Sequence, residues 1–170
     1  FKVYIPLKSG KYGIKIWAAV DCKSQYQINI QIYTGVVGNV RGTQQGKRVV
    51  YDTVDHLQGS GRNVTTDNFF TSYQLGQELL QQNLTLIGTM RKNRGEIPKE
   101  KLPDKKRELL STLFVYANNT LLASYVPKRN NSVILLSTQH TNFDISEDYK
   151  KPEVILEYNA TKSGVHTIDN

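Results

Sequence analysis

The sequence predicts a single-core α/β domain with a small β-rich insertion, and three features carry that reading. Segments with strand period and segments with helix period alternate from residue 14 to residue 90. Beyond Met90 the chain turns basic and gains Pro98 and Pro103, and the apolar runs that follow are all short and strand-like. A length of 170 residues suits one ordinary domain and leaves little room for two independent cores.

Each element has its own signal. Residues 14–20 alternate, with Ile14, Ile16, Ala18 and Val20 on one face, and Asp21 follows at once. After the polar turn 22–25, Ile28, Ile30 and Ile32 alternate with Asn29 and Gln31, so the two strands form a hairpin with Asp21 at its rim. The glycine-containing stretch 35–46 reads as a loop, and a third short strand is expected near Arg48. Val50, Val54 and Leu57 then repeat at helical spacing up to the stop at Gly59-Ser60-Gly61. Residues 64–66 are short and β-branched, Thr71 or Ser72 can cap the helix whose stripe is Leu75, Leu79 and Leu80, and residues 84–90 return as a strand. Residues 112–117, 121–126 and 133–137 read as three more strands joined by Asn-rich turns. Residues 154–158 read as a last strand or extended arm leading into a helix.

Composition narrows the function. Apolar residues make up 38% of the chain, and no apolar run approaches the roughly 20 residues that a membrane span needs, so no membrane segment is expected. The lone Cys22 has no partner for an internal disulfide, which suits a reducing compartment. Five Asn-x-Ser/Thr triplets are what an Asn-rich chain yields by chance. A first residue Phe1 and a last residue Asn170 inside a helix-like pattern read as a piece of a longer protein. Of the formal net charge of +7, residues 91–107 alone supply +5, with eight basic side chains against three acidic ones. Such a block attracts polyanions, or it is a solvated connection.

Asp21 and Asp67 each end a predicted strand, with a helix between them in sequence. If those strands are neighbours in one sheet, the two carboxylates converge, and they repel unless a proton or a cation compensates. Hard oxygen ligands of this kind suit Mg²⁺ or Mn²⁺, and a pair of such ions can serve phosphodiester cleavage. Taken singly, Asp67 is also a turn or cap residue and Asp21 an ordinary hairpin aspartate. Asp52, Asp55 and His56 share a helical neighbourhood but read as a solvated face. Cys22, beside Asp21, has no histidine spaced to activate it.

The stretches "KYGIKIWAAVDCKSQYQINIQIYTG", "VTTDNFFTSYQLGQELLQQNLTLIGTMRKNRGEIP", "ILLSTQHT" and "EYNATKSGVHTIDN" occur in that order along nearly the whole chain. They resemble the catalytic region of piggyBac-type DNA transposases, the cut-and-paste enzymes of transposable elements. The resemblance implies a ribonuclease H-like mixed sheet flanked by helices and interrupted by a β-rich insertion. On that pattern residues 1–93 are the first part of the catalytic core, 94–153 the basic insertion and 154–170 the returning core segment. It also implies three acidic residues that bind two Mg²⁺ or Mn²⁺ ions, the first matching Asp21 and the second Asp67. The third comes from a "GVD..D" motif that here reads "GVHTID", so His166 occupies the first acidic position and Asp169 matches the second. A neutral imidazole is a weak ligand for Mg²⁺ and leaves the site one negative charge short. Three readings stay open: a decayed transposase, substitution by Asp169, or His166 as a ligand in a slower site. Arg91 and Arg94 match basic positions that contact DNA in relatives, and Lys92 beside them is a further DNA-binding candidate. Double-stranded DNA with transposon ends and a TTAA target, a homodimeric full-length protein and a nuclear location complete what the resemblance implies.

Overall fold

The computed structural model of the protein describes residues 2–6, 10–35, 44–98 and 107–165. They fall into two compact units, Phe1–His56 with Gly164–Asn170, and Leu57–Ser163.

In the first unit, β1 (Lys2–Tyr4) pairs antiparallel with β2 (Tyr12–Ile14), and β3 (Ile16–Val20) with β4 (Gln27–Ile32). The run expected as one strand over 14–20 is therefore divided at Lys15. The β3–β4 hairpin closes as expected: Asp21 N donates to Tyr26 O at 2.9 Å, and Gln25 N donates to Asp21 O at 2.8 Å. Gln25 adopts the left-handed conformation, φ 58°, that ends the turn. The alternation in β4 identifies the strand, but its polar side faces the helix. Asn29 Nδ2 donates to the carbonyls of Asp52 and Thr53, and Gln31 Nε2 to Asp52 Oδ2, while Ile28, Ile30 and Ile32 stay exposed.

The strand expected near Arg48 is a helix instead, α1 (Gln45–Val54). Val49, Val50, Thr53 and Val54 are all buried, a 3.6-residue pattern that strand geometry would split between two faces. Thr53 satisfies its hydroxyl within the helix, donating toward Val49 O at 2.8 Å and Val50 O at 3.0 Å.

The second unit is built on a five-stranded mixed sheet in the order β5-β6-β9-β8-β7. Its strands are β5 (Asn63–Thr66), β6 (Thr85–Met90), β7 (Thr112–Ala117), β8 (Thr120–Lys128) and β9 (Asn131–Ser137). Only β5 and β6 run parallel, joined by α2 (Tyr73–Gln81), and the others pair antiparallel. The strands of the basic segment thus extend the sheet that β5 and β6 begin. Asn118 and Asn119, at φ 49° and 56°, make the tight β7–β8 turn that two-residue hairpins favour.

Helices cover both sides of this sheet. Ser72 caps α2, its side chain accepting from Leu75 N at 3.1 Å, and Leu75 and Leu79 are fully buried, whereas Leu80 is half-buried. Gly76 takes the remaining contact, close to Thr138 and Leu136. After the short pair β10 (Ile145–Ser146) and β11 (Lys151–Pro152) comes α3 (Glu153–Thr161). The strand or arm expected at 154–158 is thus corrected to a helix. Val154, Ile155 and Tyr158, at i, i+1 and i+4, pack on Ile87, Leu121, Ala123, Tyr125 and Leu135, the sheet face opposite α2. Among the polar ties of α3, Thr65 Oγ1 donates to Thr161 Oγ1 at 2.9 Å, and His140 Nε2 lies 3.1 Å from Glu157 Oε2. No helix among the described residues is long and apolar enough to cross a membrane.

Candidate catalytic site

Asp67 is the first residue after β5, and its backbone and side chain build the turn into α2. Its carbonyl accepts from Phe70 N at 3.2 Å, Thr71 N at 3.1 Å and Thr71 Oγ1 at 2.7 Å. Its Oδ1 accepts from Phe69 N at 2.8 Å, the Asx-turn bond that favours Asp at such a corner. Among the described residues its Oδ2 accepts nothing, and the side chain is exposed. Asp67 is thus both the turn residue and an outward-facing carboxylate, so the two readings of its sequence position coexist.

Arg91 and Arg94 reach this turn from the segment that follows β6. Arg91 Nε donates to Asn68 Oδ1 at 3.2 Å, which leaves both terminal nitrogens of its exposed guanidinium without a partner among the described residues. Arg94 is half-buried and donates through Nη2 to Thr71 O at 3.2 Å. Lys92 is exposed. Glu96 Oε2 accepts from Tyr73 N at 3.4 Å, at the positive end of α2, and Ile97 is buried beneath the same segment. Phe69 and Phe70 pack edge to face, ring centres 5.1 Å apart, and both are half-buried, which suits packing better than base stacking.

Asp21 occupies the equivalent place in the other unit, at the end of β3. Its Oδ1 accepts from Lys23 N at 2.9 Å and its Oδ2 from Ser24 Oγ at 3.0 Å. The pairing expected to bring Asp21 and Asp67 to one sheet edge is absent among the described strands: β3 pairs with β4, and β5 with β6. His166 and Asp169 lie outside the described residues. No cluster of three or more His, Cys, Asp or Glu able to hold a metal occurs among the described residues. For a hard dication the donor chemistry nonetheless fits. A carboxylate offers about four lone-pair sites, and at Asp67 one neutral donor, Phe69 N, uses one of them.

A family model described as "Transposase IS4" matches residues 1–170. A cryo-EM structure of a piggyBac transposase synaptic complex with hairpin DNA matches 99% of the chain with a TM-score of 0.92 and 38% sequence identity. The chain belongs to the piggyBac-type transposase family. It spans 36% of the length of that transposase chain. The mixed sheet flanked by helices is accordingly the piggyBac transposase fold, as the sequence motifs imply.

Within that family fold, sequence reasoning missed what holds the Asp67 turn from below. Thr71 is weighed in the sequence only as a helix cap, yet it is fully buried and its hydroxyl serves Asp67 and Thr66 instead. The available signal was Gly88, a glycine in the middle of an apolar strand, which marks a close approach of another group.

Proposed function

We propose that this chain is the catalytic-core segment of a cut-and-paste DNA transposase, acting on double-stranded DNA at transposon ends. The observation that carries the reading is the Asp67 turn, where an exposed carboxylate oxygen sits on the same corner as Asn68, which holds the Arg91 guanidinium. Family membership and the likeness to a transposase solved with hairpin DNA support DNA as the partner. A divalent pair, Mg²⁺ or Mn²⁺, would supply an activated attacking oxygen and a stabilised leaving oxygen. Asp21 and Asp67 would hold those ions, with His166 or Asp169 completing the set. Arg91 and Lys92 would grip the phosphates and set the register of the strand, because a guanidinium held through Nε still offers its outer fork. Insertion at TTAA, a homodimeric assembly and a nuclear location belong to the same reading.

Arg91 and Arg94 separate under mutation. Arg91→Ala weakens duplex binding about uniformly across sequences and lowers the salt slope by about 1, with unchanged thermal stability. Arg94→Ala lowers stability by about 1–3 kcal/mol, because it removes a charged donor from the carbonyl of a buried residue. A salt series of affinities and a melting curve for each variant of the complete protein check both statements.

A second reading, a transposase-derived DNA-binding protein without catalysis, is favoured by His166 at the family's acidic position. Nicking of a transposon-end duplex with Mn²⁺ by the complete protein, beside its His166→Asp variant, decides between the two. Nicking by both supports the enzyme and removes position 166 from the mechanism. Nicking by the variant alone supports lost catalysis, and nicking by neither overturns the catalytic reading.

A further inference from the structure

We propose that Thr71 is a positioning residue for Asp67: its buried hydroxyl, steered by Thr66 across the bare face of Gly88, fixes the peptide from which the Asp67 carboxylate projects. The inference rests on the catalytic reading of Asp67 and adds to it the group that sets its direction.

The geometry determines where the protons lie. Thr71 Oγ1 is 2.7 Å from Asp67 O, and a carbonyl only accepts, so the single hydroxyl proton of Thr71 is spent there. Thr66 Oγ1 and Thr71 Oγ1 are 2.8 Å apart, and the proton between them must then belong to Thr66. The result is a directed chain, Thr66 O–H to Thr71 O–H to Asp67 C=O, in which each bond polarises the next. Thr71 is fully buried and Thr66 nearly so, which removes competing water.

Two neighbours make the chain specific. Thr66 pairs with Gly88 in the parallel β5–β6 register, and a Cβ on residue 88 would lie well inside contact distance of Thr71 Oγ1 and 2.6 Å from Thr66 Oγ1. Only glycine leaves room for both hydroxyls. On the other side of the turn, Arg94 Nη2 binds Thr71 O at 3.2 Å, so Thr71 is held at both its hydroxyl and its carbonyl. With Phe69 N fixing Oδ1, the backbone and one carboxylate oxygen are set, and Oδ2 is aimed outward.

The test compares Thr71→Val, which keeps the shape and loses the hydroxyl, with Thr71→Ser, which keeps the hydroxyl, in the complete protein. Thr71→Val is expected to speed amide exchange at Phe69, Phe70 and Thr71 at least about tenfold while the amides of β6 keep their protection. It is also expected to weaken Mn²⁺ binding, followed by the electron-spin signal of the free ion, by about 10–100-fold, the scale for removing a group that orients a ligand. Thr71→Ser restores both. Unchanged exchange in Thr71→Val, or failure of serine to restore it, overturns the proposal, since only packing of the methyl group would then remain. Asp67→Asn separates this outcome from failure of the catalytic reading: if it leaves Mn²⁺ affinity unchanged, the metal role of Asp67 falls, and the exchange data alone decide the positioning role. Should Thr71→Val not fold, Thr66→Val removes the same chain from its other end and is judged by the same exchange criterion.

Discussion

Gly88→Ala is expected to destabilise the chain by about 3 kcal/mol, the upper end of the usual cost of overpacking. The new methyl group would stand 2.6 Å from Thr66 Oγ1 and 2.8 Å from Thr66 O, and closer still to Thr71 Oγ1. A side chain can rotate away, but the Thr66 carbonyl belongs to β5, which is paired in register with β6 at this residue. Relief therefore requires either separating the two strands or breaking the hydroxyl chain, and the second leaves a buried donor unpaired. Gly76→Ala provides the contrast. Its methyl would meet the ends of the Thr138 and Leu136 side chains at 3.0 and 3.4 Å, and the helix gains from losing a glycine, so a change within about 1 kcal/mol is expected. Denaturant unfolding of both variants gives the two numbers. A Gly88→Ala midpoint close to that of the parent would show that β5 and β6 yield more easily than their pairing implies.

These contacts mark the boundary of what the sequence discloses. Elements whose signals are local came through: the β3–β4 hairpin, the Ser72 cap of α2, and the β7–β8 turn, where two consecutive asparagines supply the positive φ angles that the turn demands. Two expected strands are helical instead. Near Arg48 the helix begins earlier than the Val50-Val54-Leu57 stripe indicated, and Val154-Ile155 suggest a strand by propensity yet lie in a helix because burial against the five-stranded sheet outweighs a few tenths of a kcal/mol of preference per residue. The period of β4 was readable, but not which face meets α1: Asn29 and Gln31 bond to the helix while Ile28, Ile30 and Ile32 stay exposed. At the site, the position of Asp67 after a strand was legible. The bond from Arg94 to Thr71 was not, because it joins residues twenty-three positions apart, and the Thr66–Thr71–Asp67 contacts, though local, depend on the bare face of Gly88 that β5–β6 pairing sets opposite them.

Asp67→Asn, made in whichever form of the complete protein nicks DNA, is expected to reduce nicking by about 10²–10³-fold or more, the scale for losing one preorganised charge-stabilising group. Asparagine preserves shape, and its carbonyl oxygen still accepts from Phe69 N, so the Asx turn, the Thr71 bonds and the melting temperature stay as they are. What disappears is the negative charge on the outward oxygen, the one feature of this corner that the fold does not need. Asp67→Ala removes the turn bond as well and should lose stability in addition, by about 0.5–2 kcal/mol if the corner behaves as a capping position does. Equal nicking by the asparagine variant and its parent would reduce Asp67 to the turn residue it also is. Loss of nicking with an unchanged melting curve would place the effect in charge and not in folding, since the amide differs from the carboxylate at the reacting corner only in its charge and its proton donors.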